Sequence, residues 1–410
     1  MTTRGARPDY EDVLQTIDRA QSAAADRIRV RILGQSVQGR DIPCAICTDP
    51  AVSDDDKQHV FIVAGQHGSE ESGRAIALSV LEFLASGRDE APDILRRQVV
   101  AIAPAGSPDG AQLDNNRNAA GVDVAHTYAF DAPAGSPEGR ALERFALEFV
   151  PDIFIDMHGR AGGGMKELAW LSPAWGFSSD RYFLTEMSSA MARAGEEAGF
   201  PQAELEPPSR LDTAAMQTGL LGEKLAAEIK SLSFGLETIE KYYRQADWRA
   251  TGLPRMRRLL RFGMEDAFGL GEPGYPVSLI SGTRMYGIKA HGTTAADRRS
   301  NRVEMLNFLR RNYCIAERNA DGVDRCARMK VFSKTSDGPN PQRFALLLRI
   351  KKPCRVTTVQ WKGQSLPLDN RHGYRLWEDN ASALVQANIA EPFGGPERLL
   401  EVHYDSPLFA

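Results

Sequence analysis

Between about residue 8 and residue 270, short apolar runs alternate with amphipathic stretches, the pattern of an α/β domain. The runs predict strands over Ile28 to Leu33, Asp41 to Cys47, Val60 to Ala64, Val99 to Ala103, Ile153 to His158 and Ser231 to Glu237. Helical periodicity falls between them, over Tyr10 to Ala25, Glu71 to Ser86, Pro137 to Phe149, Arg181 to Ala198 and Leu253 to Phe268. Several of the strands are apolar at nearly every position, as expected of a mostly parallel, mixed central sheet covered by helices on both faces. In such sheets ligands gather at the carboxyl ends of the strands.

The texture changes after residue 270. Gly269 to Pro276 is rich in Gly and Pro and reads as a boundary, and 277–325 has no clear character apart from one helix expected over Ala295 to Asn312. From Arg328 onward come short β-like runs: Met329 to Ser333, Arg343 to Ile350, Arg355 to Lys362, Tyr374 to Trp377, Ala383 to Ile389 and Leu399 to Tyr404. The expected organisation is a catalytic α/β domain over 1–270, a connection over 271–327 and a small all-β, sandwich-like domain over 328–410. There is no internal repeat and no low-complexity tract.

Length supports the division, since a chain of 410 residues exceeds the size at which one core stops growing. A hydrophobic fraction of 42% with 25% charged residues is that of a soluble globular protein. Fifty Lys and Arg stand against 54 Asp and Glu, which gives no reason to expect nucleic acid or an anionic membrane as a partner. The basic cluster Arg255-Met256-Arg257-Arg258 lies in a helical pattern and reads as a solvated face. The sequence as given opens without a signal peptide, and no window approaches a membrane span. Five cysteines, an odd and scattered set, suit a reducing cytosol, and a cytoplasmic protein is the expectation. Cys44-x-x-Cys47 lies within a predicted strand, where an odd separation sends the two thiols to opposite faces, so it reads as packing. Oligomeric state is not legible.

Of the seven histidines, His59, His291, His372 and His403 have no acidic or glycine-rich context and read as ordinary. His67 and His158 each stand at the carboxyl end of an apolar strand. After the strand ending at Ala64, Gly65 permits a sharp turn and a helix begins near Glu70, so that His67 and Glu70 share one face and can converge on a cation. The same residues also fit a polar helix start, with Ser69 as cap and Glu70 and Glu71 at the positive end of the helix dipole. His158 closes Ile153-Phe154-Ile155-Asp156-Met157-His158, and Gly159 and Gly162 to Gly164 leave room for a ligand beside it. With His67 and Glu70 it makes up a His/Glu/His set. A third strand ends at Glu237, a carboxylate able to take a proton from an activated water and return it to a leaving group; Glu240 is a rival beyond the apolar run.

Together these residues resemble the zinc carboxypeptidases, the funnelin family related to carboxypeptidase A, over roughly residues 8 to 268. The resemblance rests on Leu33-Gly34-Gln35-Ser36-Val37-Gln38-Gly39-Arg40, His67-Gly68-Ser69-Glu70, Ser107-Pro108-Asp109-Gly110, Gly121-Val122-Asp123, Asp156-Met157-His158 and Phe234-Gly235-Leu236-Glu237. It implies one Zn2+ per chain held by His67, Glu70 and His158, with Glu237 as general base and acid. It further implies that Asp123 orients a zinc histidine and that Arg117 polarises the scissile carbonyl, although Arg117 also fits an exposed loop arginine.

Two departures bear on specificity. Where the family places an Asn-Arg pair on the substrate carboxylate, this chain has Ala125 and His126. A guanidinium grips a carboxylate through two parallel hydrogen bonds, whereas an imidazole offers one donor. His126 is therefore open to a weaker acid, a neutral polar group, or simple packing. The family's substrate-capping tyrosine is also missing from Leu211 to Gln217. The expectation is a zinc-dependent hydrolase cleaving an amide in a small or unusual peptide. The alternatives are an N-acyl amino acid deacylase of the aspartoacylase and desuccinylase type, or a catalytically inactive protein that binds a ligand or partner.

Overall fold

The computed structural model describes residues 8–52, 54, 57–129, 132–151, 153–160, 169–172, 175–176, 191–199, 209–210, 219–228, 231–239, 248–264, 285–286, 313–318, 324–331, 344–351, 355–369, 373–378, 382–391, 396 and 398–405. Predicted features at Gly162 to Gly164, Arg181 to Ala190, Leu211 to Gln217, Glu240, Gly269 to Pro276 and Ala295 to Asn312 lie outside these residues. The chain forms two compact units, Met1–Ala267 and Phe268–Ala410.

The strands of the first unit are β1 (Ile28–Gln35), β2 (Asp41–Cys47), β3 (Gln58–Ala64), β4 (Gln98–Ala103), β5 (Ile153–Arg160), β6 (Ala169–Ser172), β7 (Trp175–Gly176), β8 (Ser209–Arg210) and β9 (Leu232–Ile239). Its helices are α1 (Tyr10–Ala23), α2 (Glu71–Ser86), α3 (Ala91–Arg97), α4 (Pro108–Leu113), α5 (Pro137–Phe149), α6 (191–197), α7 (Leu221–Glu228) and α8 (Trp248–Met264). Seven strands make one mixed sheet in the order β1-β2-β4-β3-β5-β9-β6. Its centre, β4-β3-β5-β9, is parallel, and the antiparallel strands lie at the two sides.

The parallel centre follows from the sequence. Val60 to Ala64 are all fully buried, because β3 has helices over both of its faces. Phe61 and Val63 pack with Leu142, Phe145 and Ala146 of α5, while α2 packs against β3 and β5 on the other side. α1 starts at a capping box, in which Asp9 accepts from the Asp12 amide at 2.9 Å and Asp12 accepts from the Asp9 amide at 3.1 Å. Ser136 caps α5 through the Gly139 amide. Both β5 and β9 continue two residues beyond the ends expected from the apolar runs, to Arg160 and Ile239. Cys44 and Cys47 are free and buried in β2, and burial pushes both thiols up, that of Cys47 to about 12. Among the described residues no helix is long and apolar enough to cross a membrane.

The second unit contains β10 (Met285–Tyr286), β11 (Tyr313–Arg318), β12 (Asp324–Val331), β13 (Phe344–Lys351), β14 (Arg355–Trp361), β15 (Gln364–Ser365), β16 (Tyr374–Glu378), β17 (Ser382–Ile389) and β18 (Arg398–Asp405). They form two antiparallel sheets, β10-β13-β17-β16 and β11-β12-β18-β14-β15. β10 and β11 fall in the stretch where the sequence shows no clear character. Val359, Trp361, Val385, Ala387, Leu400, Val402 and Tyr404 form the buried rows of this unit.

One buried carboxylate ties remote parts of the first unit together. Asp109, at the start of α4, is fully buried. It accepts from Ser36 Oγ at 2.7 Å, from the Gln38 amide at 2.9 Å and from Arg40 Nη1 at 2.7 Å. The β1–β2 turn is thereby fixed to α4, and the neighbouring Gly110 backs directly onto Gly68, where a Cβ would collide with the Gly110 and Ala111 backbone. Asp109→Ala leaves buried donors without an acceptor, so a loss of about 3 kcal/mol is expected. Arg40→Ala removes a half-exposed partner and costs about 1 kcal/mol. Urea unfolding of the two variants should order them in this way.

Candidate metal centre

β3 ends at Ala64, and Gly65, at φ 64°, turns the chain so that Gln66 and His67 enter the region beyond the strand ends. Gly106 and Ser107 donate their amides to the carbonyls of Ala64 and Gly65 at 2.8 Å each, holding this turn against the end of β4. α2 then begins at Glu71 with Glu70 as its N-cap residue, and the Glu70 side chain makes no capping bond. Ser69 is not the cap either, as its hydroxyl pairs with the Asn116 side chain. The capping part of the helix-start reading is corrected at this point, whereas the helix does begin here and Glu71 does lie in its first turn. A capping bond contributes about 1 kcal/mol. Hydrogen bonds to charged partners contribute about 1.5–3 kcal/mol each, and Glu70 makes those instead.

Glu70 Oε1 lies 2.8 Å from His67 Nδ1, and Oε2 lies 2.9 Å from His158 Nδ1. Oε2 also accepts from the Gly159 amide at 3.0 Å. The three side chains each offer a donor atom within 4.8 Å of the other two. The far nitrogens of both imidazoles are held as well: His67 Nε2 is 2.9 Å from Asp123 Oδ1, and His158 Nε2 is 3.1 Å from Asp156 Oδ1. Each ring therefore keeps Nε2–H on a carboxylate and turns Nδ1 toward the common centre. That is the orientation in which imidazole serves as a metal ligand, with its tautomer fixed by an outer partner. Two imidazoles and one carboxylate suit zinc, leaving a coordination position for water or substrate.

The electrostatics express the same arrangement in its protonated form. Burial pulls His67 down, but the hydrogen bonds to Asp123 and Glu70 outweigh it and push its pKa up to about 9. Burial likewise opposes the charge on His158, and Asp156 and Glu70 reverse that, holding it well above its ordinary value. The Glu70 carboxyl, which burial alone would raise, is brought down to about 2 by the two imidazoles. The hydrogen bond from His67 keeps Asp123 below its ordinary range, with further contributions from His126 and Arg117.

Asp156 escaped the sequence reading as a site residue. It is fully buried, and both of its oxygens accept from Gln66 Nε2, at 2.9 and 2.8 Å. Gln66 Oε1 in turn accepts from the hydroxyl of Tyr128, fully buried, at 2.5 Å. A chain of contacts thus runs from Tyr128 through Gln66 and Asp156 to His158. The available signal was the i, i+2 spacing of Asp156 and His158, which puts both on one face of a strand.

The remaining predicted residues surround this centre. Glu237 on β9 is the register partner of His158 on β5, so the two stand side by side on one face of the parallel pair, Cα atoms about 4.8 Å apart. His126 ends a 3-10 turn, Val124–His126, and is exposed; its ring centroid lies 6.3 Å from that of His67. Gly219, at φ 79°, approaches the His126 carbonyl too closely for any Cβ, and its own carbonyl accepts from the Tyr128 amide at 2.9 Å. Arg117 is exposed, and its Nη1 donates to the Gly121 carbonyl at 2.9 Å rather than toward the three donors.

Part of the chain is similar in sequence, and its α/β domain in fold, to known proteins. A family model described as zinc carboxypeptidase matches residues 13–148, a stretch holding His67, Glu70, Arg117, Asp123 and His126. The catalytic chain of human carboxypeptidase N is 26% identical over 136 residues, covering 29% of this chain and 30% of that protein. Among solved structures, a metallo-carboxypeptidase from Pseudomonas aeruginosa has 21% identity and a TM-score of 0.51, covering 62% of this chain and 68% of its own. Carboxypeptidase A from Helicoverpa armigera has 16% identity and a TM-score of 0.52, covering 63% and 74%. At such identities the structures speak for the fold.

Two outcomes test the centre. Asp156→Asn takes a full negative charge from behind His158 and is expected to weaken zinc binding 10- to 100-fold, measured by competition with a chelating dye. In chelator-treated protein, the stabilisation of His67 is complete below its ordinary value of 6.5 and is lost as pH rises through about 9. The melting temperature should therefore fall across that window, less steeply in Asp123→Asn. In sequence over residues 13–148, and in the fold of its α/β domain, the chain is a likeness of the zinc carboxypeptidases.

Proposed function

We propose that this protein is a zinc-dependent hydrolase that cleaves an amide bond in a small or unusual peptide, with His67, Glu70 and His158 holding one metal ion. The observation that carries this reading is the pairing of Glu237 with His158: a carboxylate stands beside the three donors on the neighbouring strand. Zinc, when bound, lowers the pKa of a water molecule toward neutrality and polarises a carbonyl. Glu237 accepts the proton of the attacking water and delivers it to the leaving nitrogen, the two halves of general base and acid catalysis. Asp123 and Asp156 keep both Nε2–H groups in place, so that His67 and His158 present their other nitrogens throughout. Arg117 adds positive charge at the rim, where it lowers the Asp123 carboxyl.

His126 bears on what is accepted. Its ring lies near that of His67, at the exposed edge of the centre, where it can give a single hydrogen bond to a substrate. A fork of parallel donors for a terminal carboxylate is not provided by this residue. The favoured substrate is accordingly a peptide whose C-terminal group is neutral or weakly acidic, or a short peptide bound chiefly through its side chains.

The reading is tested with a panel of peptides, C-terminal peptide amides and N-acyl amino acids. Glu237→Gln is expected to lower kcat 10²- to 10⁴-fold on whichever member is cleaved, with zinc content unchanged. Undiminished turnover in that variant would remove Glu237 from the mechanism. His126→Arg should shift preference toward free C-terminal carboxylates; an unchanged profile would exclude His126 from the specificity position.

A further inference from the structure

The second unit has a donor cluster of its own. Cys326 on β12 and His403 on β18 are direct cross-strand partners, and Glu401 stands two residues before His403 on the same strand. Leu400, Val402 and Tyr404 occupy the alternate positions and are buried in the core of the unit. Glu401 and His403 are therefore on the opposite face of the sheet, together with Cys326, and both are half-buried. Cys326 is only 2% exposed although it lies on that outer face. The thiol sulfur is 3.8 Å from His403 Nε2 and 3.9 Å from Glu401 Oε1, and the three donor atoms all lie within 4.8 Å of one another.

These separations can be compared with what a cation requires. Zinc–sulfur and zinc–nitrogen bonds of about 2.3 and 2.0–2.1 Å at a tetrahedral angle put sulfur and nitrogen about 3.6 Å apart. The two spacings from sulfur exceed that by a few tenths of an ångström, within the reach of small side-chain rotations. The strand carrying two of the donors is held on both sides, by β12 and by β14, so the backbone supporting the cluster is fixed by two ladders. Thiolate, imidazole and carboxylate together form a donor set that favours zinc over magnesium or calcium.

We propose that Cys326, Glu401 and His403 form a second zinc site, separate from the His67, Glu70 and His158 centre, that cross-links β12 to β18. Binding forms a sulfur–zinc bond and releases the thiol proton to solvent, His403 binding through its Nε2 lone pair and Glu401 through an ionised oxygen. The fourth position of a tetrahedral ion with three protein ligands would fall to water. With three protein ligands spanning two strands, the ion acts as a staple on this unit and takes no part in the proposed hydrolysis.

Cobalt distinguishes the two sites, because the first contains no sulfur. The full chain, stripped with chelator and reloaded with Co2+, is expected to bind one equivalent more than the first site accounts for and to show a thiolate-to-cobalt charge-transfer band in the near ultraviolet. Cys326→Ser and His403→Ala should each lose the band and that additional equivalent, while the metal at His67, Glu70 and His158 remains. His403 is half-buried, so its variant carries the test should Cys326→Ser fail to fold. Absence of the band in wild type, or its persistence in either variant, overturns the proposal. Neither result depends on hydrolytic activity, so the second site can fail while the first stands.

Discussion

Glu70 forgoes the capping of its own helix to bind two imidazoles, and the rest of the site is arranged around that choice. Its two oxygens reach His67, three residues earlier, and His158, on a strand 88 residues later. A charged carboxylate with 14% of its side chain exposed would be costly if it stood alone. The two histidines supply the compensation, and each is backed by a further carboxylate in its turn. Alternating charge therefore extends from Asp123 through His67, Glu70 and His158 to Asp156, and each member lowers the cost of burying its neighbour.

That row of charges needs a frame. The parallel centre of the sheet brings the ends of β3, β5 and β9 together, and the turn after β3 is fixed by amides arriving from the end of β4. Behind it, the Ser36 to Arg40 turn closes over Asp109, which seats α4 against Gly68. Two segments that look like separate motifs along the chain are thus halves of one lock, and neither touches the three donors.

The strands of the parallel centre were readable because burial on both faces leaves unbroken apolar runs, and His67, Glu70, His158 and Glu237 stood out by interrupting or ending them. What stayed hidden shares a physical cause. α3 and α4, of 7 and 6 residues, are too short to display a period. Asp156 sits inside an apolar strand, and the residue that satisfies it, Gln66, is 90 positions away. His403 looked ordinary because the acid beside it in space, Glu401, is separated from it by a valine along the chain; the alternation of a strand brings them to one face. Arg117 stands in an exposed loop that interrupts no apolar run, and its guanidinium donates to the Gly121 carbonyl.

A last consequence concerns how the donors keep their distances. Gly68, next to His67, rests on the backbone of Gly110 and Ala111, and a Cβ at Gly73, in the first turn of α2, would stand 2.6 Å from the Met157 carbonyl oxygen. Both arms bearing the candidate donors are therefore braced main chain against main chain, with no side chain between them. The contact exists only while Gly68 and Gly73 carry no side chain, so these two positions, and not the pocket walls, fix the gauge of the site. Heritable geometry of this kind would let the pocket walls vary freely around a fixed centre.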